Sequence, residues 1–138
     1  MQIEEQEQKA LVQWLKLKKI FHFAPMNENK QSFTNPKVAM MIENKAKSMG
    51  KVKGVSDLII MLPNKILFIE LKRQEKSKTK VSDSQNAFLS KIGQFCYAKA
   101  HVCYGAREAI ETITKELQMA DKEEETTNYY QQKLKELL

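Results

Sequence analysis

Three charged side chains lie at the ends of two short apolar segments, where they could surround one metal ion. Asp57 comes directly before the first segment, and Glu70 and Lys72 come at the end of the second. Side chains alternate along a β-strand, so Glu70 and Lys72 share one face while Leu71 points to the other. Carboxylate oxygens are Mg²⁺ ligands, and a neighbouring ammonium group can stabilise charge on a reacting phosphate. These residue types would suit phosphodiester hydrolysis if the chain fold brings them together around one ion.

A β-hairpin is the element that would bring these side chains together. The two apolar segments are separated by Pro63-Asn64, which predicts a tight turn. With those two residues as the turn, counting along the ladder places Asp57 opposite Glu70. Directly opposed side chains have Cβ atoms about 4.5–5.5 Å apart, and like charges at that separation are destabilising. Two facing carboxylates therefore require a compensating group, and a divalent cation is one.

The hairpin has an alternative register that would separate the carboxylates. Pro63 suits a type I turn rather than the turns that hairpins favour, and a three-residue loop would shift the pairing. A shift of one residue moves every side chain to the opposite face. In a further alternative, Asp57 caps an ordinary strand end, and Glu70 and Lys72 are surface charges.

A divalent cation at this position would also supply chemistry. We expect Mg²⁺ or Mn²⁺ between Asp57 and Glu70, with the backbone carbonyl of Leu71 as a further ligand. Such an ion would polarise the phosphate and lower the pKa of a bound water molecule. Lys72 would then stabilise the developing phosphate charge or orient the attacking water.

Hydrophobic periodicity and turn residues predict the remaining elements. A first helix over Ile3–Ile20 is followed by a loop over 21–35 and by a second helix that begins near Pro36 and stops at Gly50. Val38, Met41, Ile42 and Met49 share one face of that second helix. The hairpin strands are Leu58–Leu62 and Ile66–Leu71, followed by a helix over Ser82–Phe95, a strand over Ala100–Tyr104, a helix over Arg107–Met119, a solvated break over Asp121–Glu125 and a helix over Tyr129–Leu138. The order α-α-β-β-α-β-α predicts an α/β domain with a small mixed sheet flanked by helices.

Length, charge and composition narrow the class of protein. The 138 residues fit one core, which we place in residues 1–120, with 121–138 as a helical extension packed on the domain or on a partner subunit. No apolar run reaches the roughly 20 residues of a membrane helix. An acidic N-terminus and two cysteines predict a cytoplasmic protein without a secretory signal. The net charge of +6 favours an anionic partner, with nucleic acid foremost.

Three short motifs in this order resemble the VRR-NUC family, a branch of the PD-(D/E)xK nuclease superfamily. They are Gly54-Val55-Ser56-Asp57, then Phe68-Ile69-Glu70-Leu71-Lys72, then Ser82-x-x-Gln85. The resemblance extends from about Glu4 to Ile113, and Ser56 departs from it, because proline is common there in the family. It implies a restriction-endonuclease-like core and a metal-dependent nuclease.

The resemblance also implies roles for individual residues. Asp57 and Glu70 resemble the metal-binding acids, and Lys72 resembles the catalytic lysine. Gln85 resembles the glutamine that helps to position the site from the following helix. Glu4 resembles the helix-one glutamate that completes the metal site, with Glu5 and Glu7 as rivals for that role; Asn27 resembles a loop asparagine, which we expect to contact DNA.

Basic residues flank the proposed site on both sides. Lys53 precedes Asp57, and Arg73, Lys76, Lys78 and Lys80 follow Lys72. They could contact the DNA backbone and give a salt-sensitive affinity that is independent of sequence. The alternative is that these residues form an ordinary solvated surface.

The sequence thus predicts a Mg²⁺- or Mn²⁺-dependent endodeoxyribonuclease. The resemblance extends this to branched DNA such as a Holliday junction, to a homodimer, and to a bacterial cell or a phage-infected host. Two other classes remain open: a non-catalytic DNA-binding module of the same fold, and an assembly or regulatory protein whose basic charge is incidental. A sequence-specific restriction-type enzyme is a third option, although no recognition segment is visible.

Overall fold

The protein folds around a four-stranded mixed sheet with helices on both faces. The computed structural model describes residues 3–25, 35–75 and 80–138. Strands β1, β2 and β3 are antiparallel neighbours, and β4 pairs with β3 in parallel, in the order β1-β2-β3-β4. This confirms the predicted mixed α/β class. The elements in chain order are α1 (Ile3–Leu17), β1 (His22–Phe23), α2 (Pro36–Ser48), β2 (Leu58–Met61), β3 (Ile66–Lys72), α3 (Asp83–Ile92), β4 (Ala98–Tyr104) and α4 (Ala106–Leu137).

The hairpin between β2 and β3 has the register that the sequence predicts. The amide of Leu62 donates to the carbonyl of Lys65 at 2.9 Å, so Pro63 and Asn64 are the two turn residues. Leu58 lies opposite Ile69, and each pair up to the turn follows in step. The three-residue loop is therefore wrong, and the next position along the ladder pairs residue 57 with residue 70.

The apolar core lies on one face of this sheet. Leu67 and Ile69 of β3 point to that face and are fully buried, together with Leu11 of α1 and Ile113 of α4. Each such side chain contributes about 1.5–3 kcal/mol by leaving water. Helices α1 and α4 pack against each other and against the strands here, whereas α3 packs against β4 on the opposite face.

One strand of the sheet was not predicted. His22 and Phe23 lie in the segment expected to be loop, and they pair with Ile60 and Ile59 of β2. A two-residue strand carries no periodicity of its own, because its conformation depends on backbone hydrogen bonds to a partner distant in sequence. The predicted loop over 21–35 was therefore wrong in its first residues.

Helix α4 is continuous where the sequence predicted a break. Its 32 residues run through Asp121–Glu125 and Tyr129 without interruption, so the solvated break was wrong. Glutamate and lysine are good helix formers, and charge alone does not end a helix that solvent surrounds. Every residue from 121 to 138 is exposed.

Helix α2 begins at Pro36, as predicted, and its apolar face is exposed. The Asn35 side chain accepts from the Lys37 amide at 3.0 Å and caps the helix. None of the residues of α2 is buried, and Met41 in the helix and Met49 at its C-terminal cap are among the most exposed apolar side chains.

Within the described residues, no helix has the length and apolar character needed to cross a membrane.

Candidate active site

Asp57 lies in the turn before β2, and its carboxylate reaches across to β3. Its Oδ2 accepts from the amide of Leu71 at 2.6 Å, which holds the side chain at the end of the strand. Burial raises the pKa of Asp57, and the charge of Glu4 acts in the same direction, while the Leu71 amide and Lys72 lower it. The carboxylate is therefore fixed in place and more basic than an exposed aspartate.

Glu70 faces Asp57 and is 2% exposed. Burial, and then the charge of Asp57, raise the pKa of Glu70 to about 8, against the opposing effect of Lys72. One carboxylate oxygen, Oε1, accepts from Gln85 Nε2 at 2.7 Å and lies 3.6 Å from Lys72 Nζ. The other, Oε2, is buried without a hydrogen-bond partner among the described residues.

Gln85 connects helix α3 to both functional residues of β3. Its Oε1 accepts from Lys72 Nζ at 3.1 Å, while its Nε2 donates to Glu70. The same Oε1 accepts from the amide of Ser82 at 3.0 Å, and the Ser82 hydroxyl accepts from the Gln85 amide. This reciprocal pair is a capping box, which fixes the first turn of α3. The local signal that starts the helix therefore also aims Gln85 at the site.

Gly54 holds the first turn of α3 against the turn before β2. Its φ is +84°, which favours glycine, and a Cβ atom there would lie 2.3 Å from the Ser84 carbonyl oxygen and 2.7 Å from the Gln85 nitrogen. The absent side chain lets the two backbones touch. The sequence motif contained this glycine, but its positioning role was missed, because the contact lies between segments 30 residues apart.

The three acids at the start of α1 have different surroundings. Glu5 is exposed and pairs with Lys9 at 3.2 Å. Glu7 Oε2 accepts from the amide of Ala106 at 2.5 Å and so caps the start of α4. Glu4 is half-buried and close enough to Asp57 to raise its pKa. Of the three, Glu4 is therefore the one whose charge acts on the site.

The two central carboxylates fit a divalent cation. Glu70 Oε2 receives no hydrogen bond from the described residues, and a proton shared with Asp57 or a positive ion would satisfy it. Within ranges 3–25, 35–75 and 80–138, no three His, Cys, Asp or Glu side chains form a ready-made metal cage. The protein ligands of an ion here would be two acids, with the Leu71 carbonyl as the predicted third, and the rest of its coordination would be left to water and substrate.

Some predicted site residues are placed by the structure and others are not described. Asp57, Glu70, Lys72 and Gln85 come together in one cluster. Lys53 and Lys80 are exposed, and Arg73 is half-buried. Asn27, Lys76 and Lys78 lie outside the described residues.

A further buried polar residue adjoins the site, and its burial was not predicted. Ser56, directly before Asp57, is 2% exposed, and its hydroxyl has no hydrogen-bond partner among the described residues. We have no physical account of this hydroxyl. A lone serine carries no sequence signal that would have found it.

Comparison with known proteins identifies the family. The family model described as VRR-NUC domain matches residues 2–107, and no curated protein matches the chain. A solved structure described as a VRR_NUC domain protein is similar over 86% of this chain and 90% of that chain, with a TM-score of 0.57 and 20% sequence identity. At that identity the likeness shows the fold, and the family model confirms the sequence resemblance. The chain belongs to the VRR-NUC family and is a nuclease-type domain, with DNA as the implied partner and a divalent metal as the usual cofactor of such a domain.

Proposed function

We propose that this protein is a Mg²⁺- or Mn²⁺-dependent endodeoxyribonuclease whose site is built from Asp57, Glu70 and Lys72. The observation that carries the proposal is the buried Glu70 carboxylate, which faces Asp57 and whose Oε2 has no hydrogen-bond partner in the described part of the chain. Burying two like charges side by side is costly unless a cation or a proton compensates them. A site that a cation can compensate, in a basic protein of a nuclease family, supports metal-dependent hydrolysis.

Each residue of the cluster has a task in this proposal. Asp57 and Glu70 hold the cation, which when bound polarises the phosphate and makes water a stronger nucleophile. Gln85 keeps Glu70 and Lys72 in fixed orientations through its two hydrogen bonds. Lys72 presents its ammonium group to the charge that develops on the phosphate. Hydrolysis proceeds by in-line attack of water, without a covalent intermediate on the protein.

Two further groups support the cation from outside this cluster. The carbonyl of Leu71 offers an oxygen, since the amide of the same residue already fixes Asp57. Glu4 adds negative charge from α1, which acts on Asp57 without making a three-acid cage. We propose contacts to the DNA backbone for Lys53, Arg73 and Lys80, together with Asn27, Lys76 and Lys78.

The biological setting follows as a set of further proposals. We propose a preference for branched DNA such as a Holliday junction, and a homodimer that makes paired cuts, since two-fold symmetry is the commonest oligomeric form. The nuclease domain spans residues 1–120, and residues 121–138, which are all exposed in the protomer and so do not pack on the domain, form an extension that packs on a partner subunit. The protein acts in the cytoplasm of a bacterial cell or a phage-infected host.

The test compares cleavage and binding by matched variants. Supercoiled plasmid and a four-way junction are incubated with Mg²⁺ or Mn²⁺, and binding is measured separately without these ions. Asp57→Ala and Lys72→Ala should lose cleavage by about 100-fold or more while keeping DNA binding. Glu5→Ala, which removes an exposed acid of the same helix start as Glu4, is the control and should cut normally.

Two results would reject this function. If Asp57→Ala and Lys72→Ala both cut at the normal rate, the site is wrong. If the unmodified protein binds DNA and cuts none of the substrates with either metal, it is a non-catalytic DNA-binding module. Absence of DNA binding even at low salt would instead indicate an assembly or regulatory protein.

A further inference from the structure

Two exposed aromatic rings lie at the edge of the sheet, Phe23 in strand β1 and Phe21 directly before it. Phe21 is 69% exposed and Phe23 is 45% exposed, and their ring centroids are 6.3 Å apart with the planes tilted by 51°. Together with Met61 and Ile59 of β2 they form an aromatic patch of four apolar side chains. Contiguous exposed apolar surface in a soluble protein indicates a binding site.

The sheet register places this aromatic patch on the same face as the catalytic carboxylates. Phe23 pairs with Ile59, and the carbonyl of Phe21 accepts from the amide of Met61 at 3.0 Å. Alternation along β2 puts Ile59 and Asp57 on one face, and antiparallel pairs share a face. Phe23 is therefore offset from Asp57 by two residues along the strands, about 6.5–7 Å, and by one strand spacing, about 4.8 Å.

The surroundings of the patch favour a nucleic acid. Helix α3 covers this face near β3 and β4, toward the edge of the sheet opposite β1, and Phe21 and Phe23 are exposed at the β1 edge. Lys18 and Lys19, both exposed, come two to three residues before Phe21 and can neutralise phosphates of a strand that crosses the patch. A strand β1 of only two residues offers too short an edge for a protein partner to extend the sheet.

We propose that Phe21 and Phe23 stack unpaired bases of a DNA strand whose backbone passes the Asp57–Glu70 pair. This inference rests on the proposed nuclease function and narrows its substrate class to branched DNA with single-stranded bases beside the cut, such as a flap, rather than a fully paired junction. Stacking is the physical reason, because every base has a flat face that an exposed aromatic ring can cover. Bases inside an intact duplex are already stacked on each other and cannot reach the rings.

The test measures binding without cleavage. In an Asp57→Ala background, affinity is compared for a paired duplex and for the same duplex with a single-stranded flap that carries 2-aminopurine. The ratio of flap affinity to duplex affinity should fall about tenfold or more in Phe21→Leu/Phe23→Leu, since leucine keeps apolar bulk and removes the ring. Phe21→Tyr/Phe23→Tyr should keep the ratio.

A second aromatic pair provides a matched control. Phe95 and Tyr97 are 42% and 56% exposed, with centroids 5.7 Å apart, and the Tyr97 carbonyl accepts from Ile66 at the turn end of the hairpin. They therefore lie at the end of β3 remote from Glu70. Phe95→Leu/Tyr97→Leu should leave the affinity ratio unchanged.

The fluorescence of 2-aminopurine gives an independent readout on the protein that retains both phenylalanines. Stacking on the rings should quench this fluorescence on binding, and absence of quenching would overturn the proposal. An unchanged affinity ratio in the leucine variant, or an equal loss in the control, would also overturn it. A change of oligomeric state in the leucine variant would show that the patch is an interface between copies instead.

Failure of this proposal is distinguishable from failure of the nuclease. The binding assay requires no cleavage. If the protein prefers the flap but never cuts, the stacking proposal holds and the nuclease proposal fails. If the protein cuts plasmid in a metal-dependent manner but shows no preference for the flap, the nuclease proposal holds and the stacking proposal fails.

Discussion

The two faces of strand β3 differ in what covers them. Leu67, Ile69 and Leu71 point to the face that α1 and α4 close, and they are between 0% and 3% exposed. Glu70 and Lys72 alternate with them on the opposite face, the open face, which α3 covers in part. The closed face can be built from any well-packed apolar side chains, while the other requires particular charges at particular positions.

This difference shows how a small domain can tolerate a destabilising site. Facing carboxylates with raised pKa values cost free energy, and the apolar contacts one residue away on the same strand offset that cost. We expect substitutions on the closed face to change stability first, and substitutions on the open face to change activity first.

The largest expected effect is the loss of stability caused by a substitution on the closed face, which α1 and α4 cover. Ile69→Ala should lower the free energy of unfolding by about 2–5 kcal/mol, because it leaves a cavity beneath α1 and α4. Ile59→Ala, on the open face of the same hairpin and half-buried, should cost roughly half as much or less. Urea unfolding of both variants measures this, and equal losses would show that the two faces contribute alike.

The next effect tests how α3 is held over the open face. Gly54→Ala should lower cleavage by about 100-fold, because a Cβ atom would push Gln85 away from Glu70 and Lys72. Gly50→Ala is the control: its φ of +101° is also positive, but nothing lies within 4 Å. It should cost only about 1–2 kcal/mol of backbone strain and leave cleavage intact.

Plasmid cleavage and urea unfolding of the two glycine variants measure these effects separately. If both variants lose activity equally, backbone strain rather than the contact with α3 explains the loss.

A smaller expected effect is a pH dependence of the stability of the metal-free protein, which arises at the open face. In the folded protein the pKa of Glu70 is raised to about 8, whereas in the unfolded chain its pKa is the ordinary 4.5. The folded state therefore binds more protons across this interval, and stability of the metal-free protein should fall as pH rises from 4.5 to 8. Thermal unfolding in EDTA across that range measures the slope.

The sign of this pH dependence has two checks. Glu70→Gln removes the group whose pKa is raised to about 8 and should reduce the slope, leaving the part that the raised pKa of Asp57 contributes. Added Mg²⁺ or Mn²⁺ should reverse it, because the ion binds the deprotonated acids. A slope that Glu70→Gln leaves unchanged would assign it to other groups.

The smallest effect is expected for the end of α4, which belongs to neither face. Residues 126–138 are all exposed, so their deletion should change stability of the isolated protomer by less than about 0.5 kcal/mol. Thermal unfolding at low and high protein concentration tests this. A larger loss that grows with concentration would show that the segment packs on a partner subunit.

The hairpin and its carboxylate pair could be predicted because their causes are local. Alternation along the strands and a two-residue turn are enough to place Asp57 opposite Glu70. The continuity of α4 could not be predicted from its acidic run, because exposed charges are compatible with a helix or a loop. Strand β1 also escaped prediction, since two residues carry no period.

The sequence by itself determined the order of most elements, the register of the hairpin and the face that carries Glu70 and Lys72. Only the tertiary structure decided which acid of α1 acts on the site: Glu7 caps α4, Glu5 pairs with Lys9, and Glu4 raises the pKa of Asp57. The physical reason is how far apart in the sequence the interacting residues lie. Backbone geometry fixes neighbours within a hairpin, whereas contacts between α1, α4 and the sheet depend on how distant apolar surfaces pack.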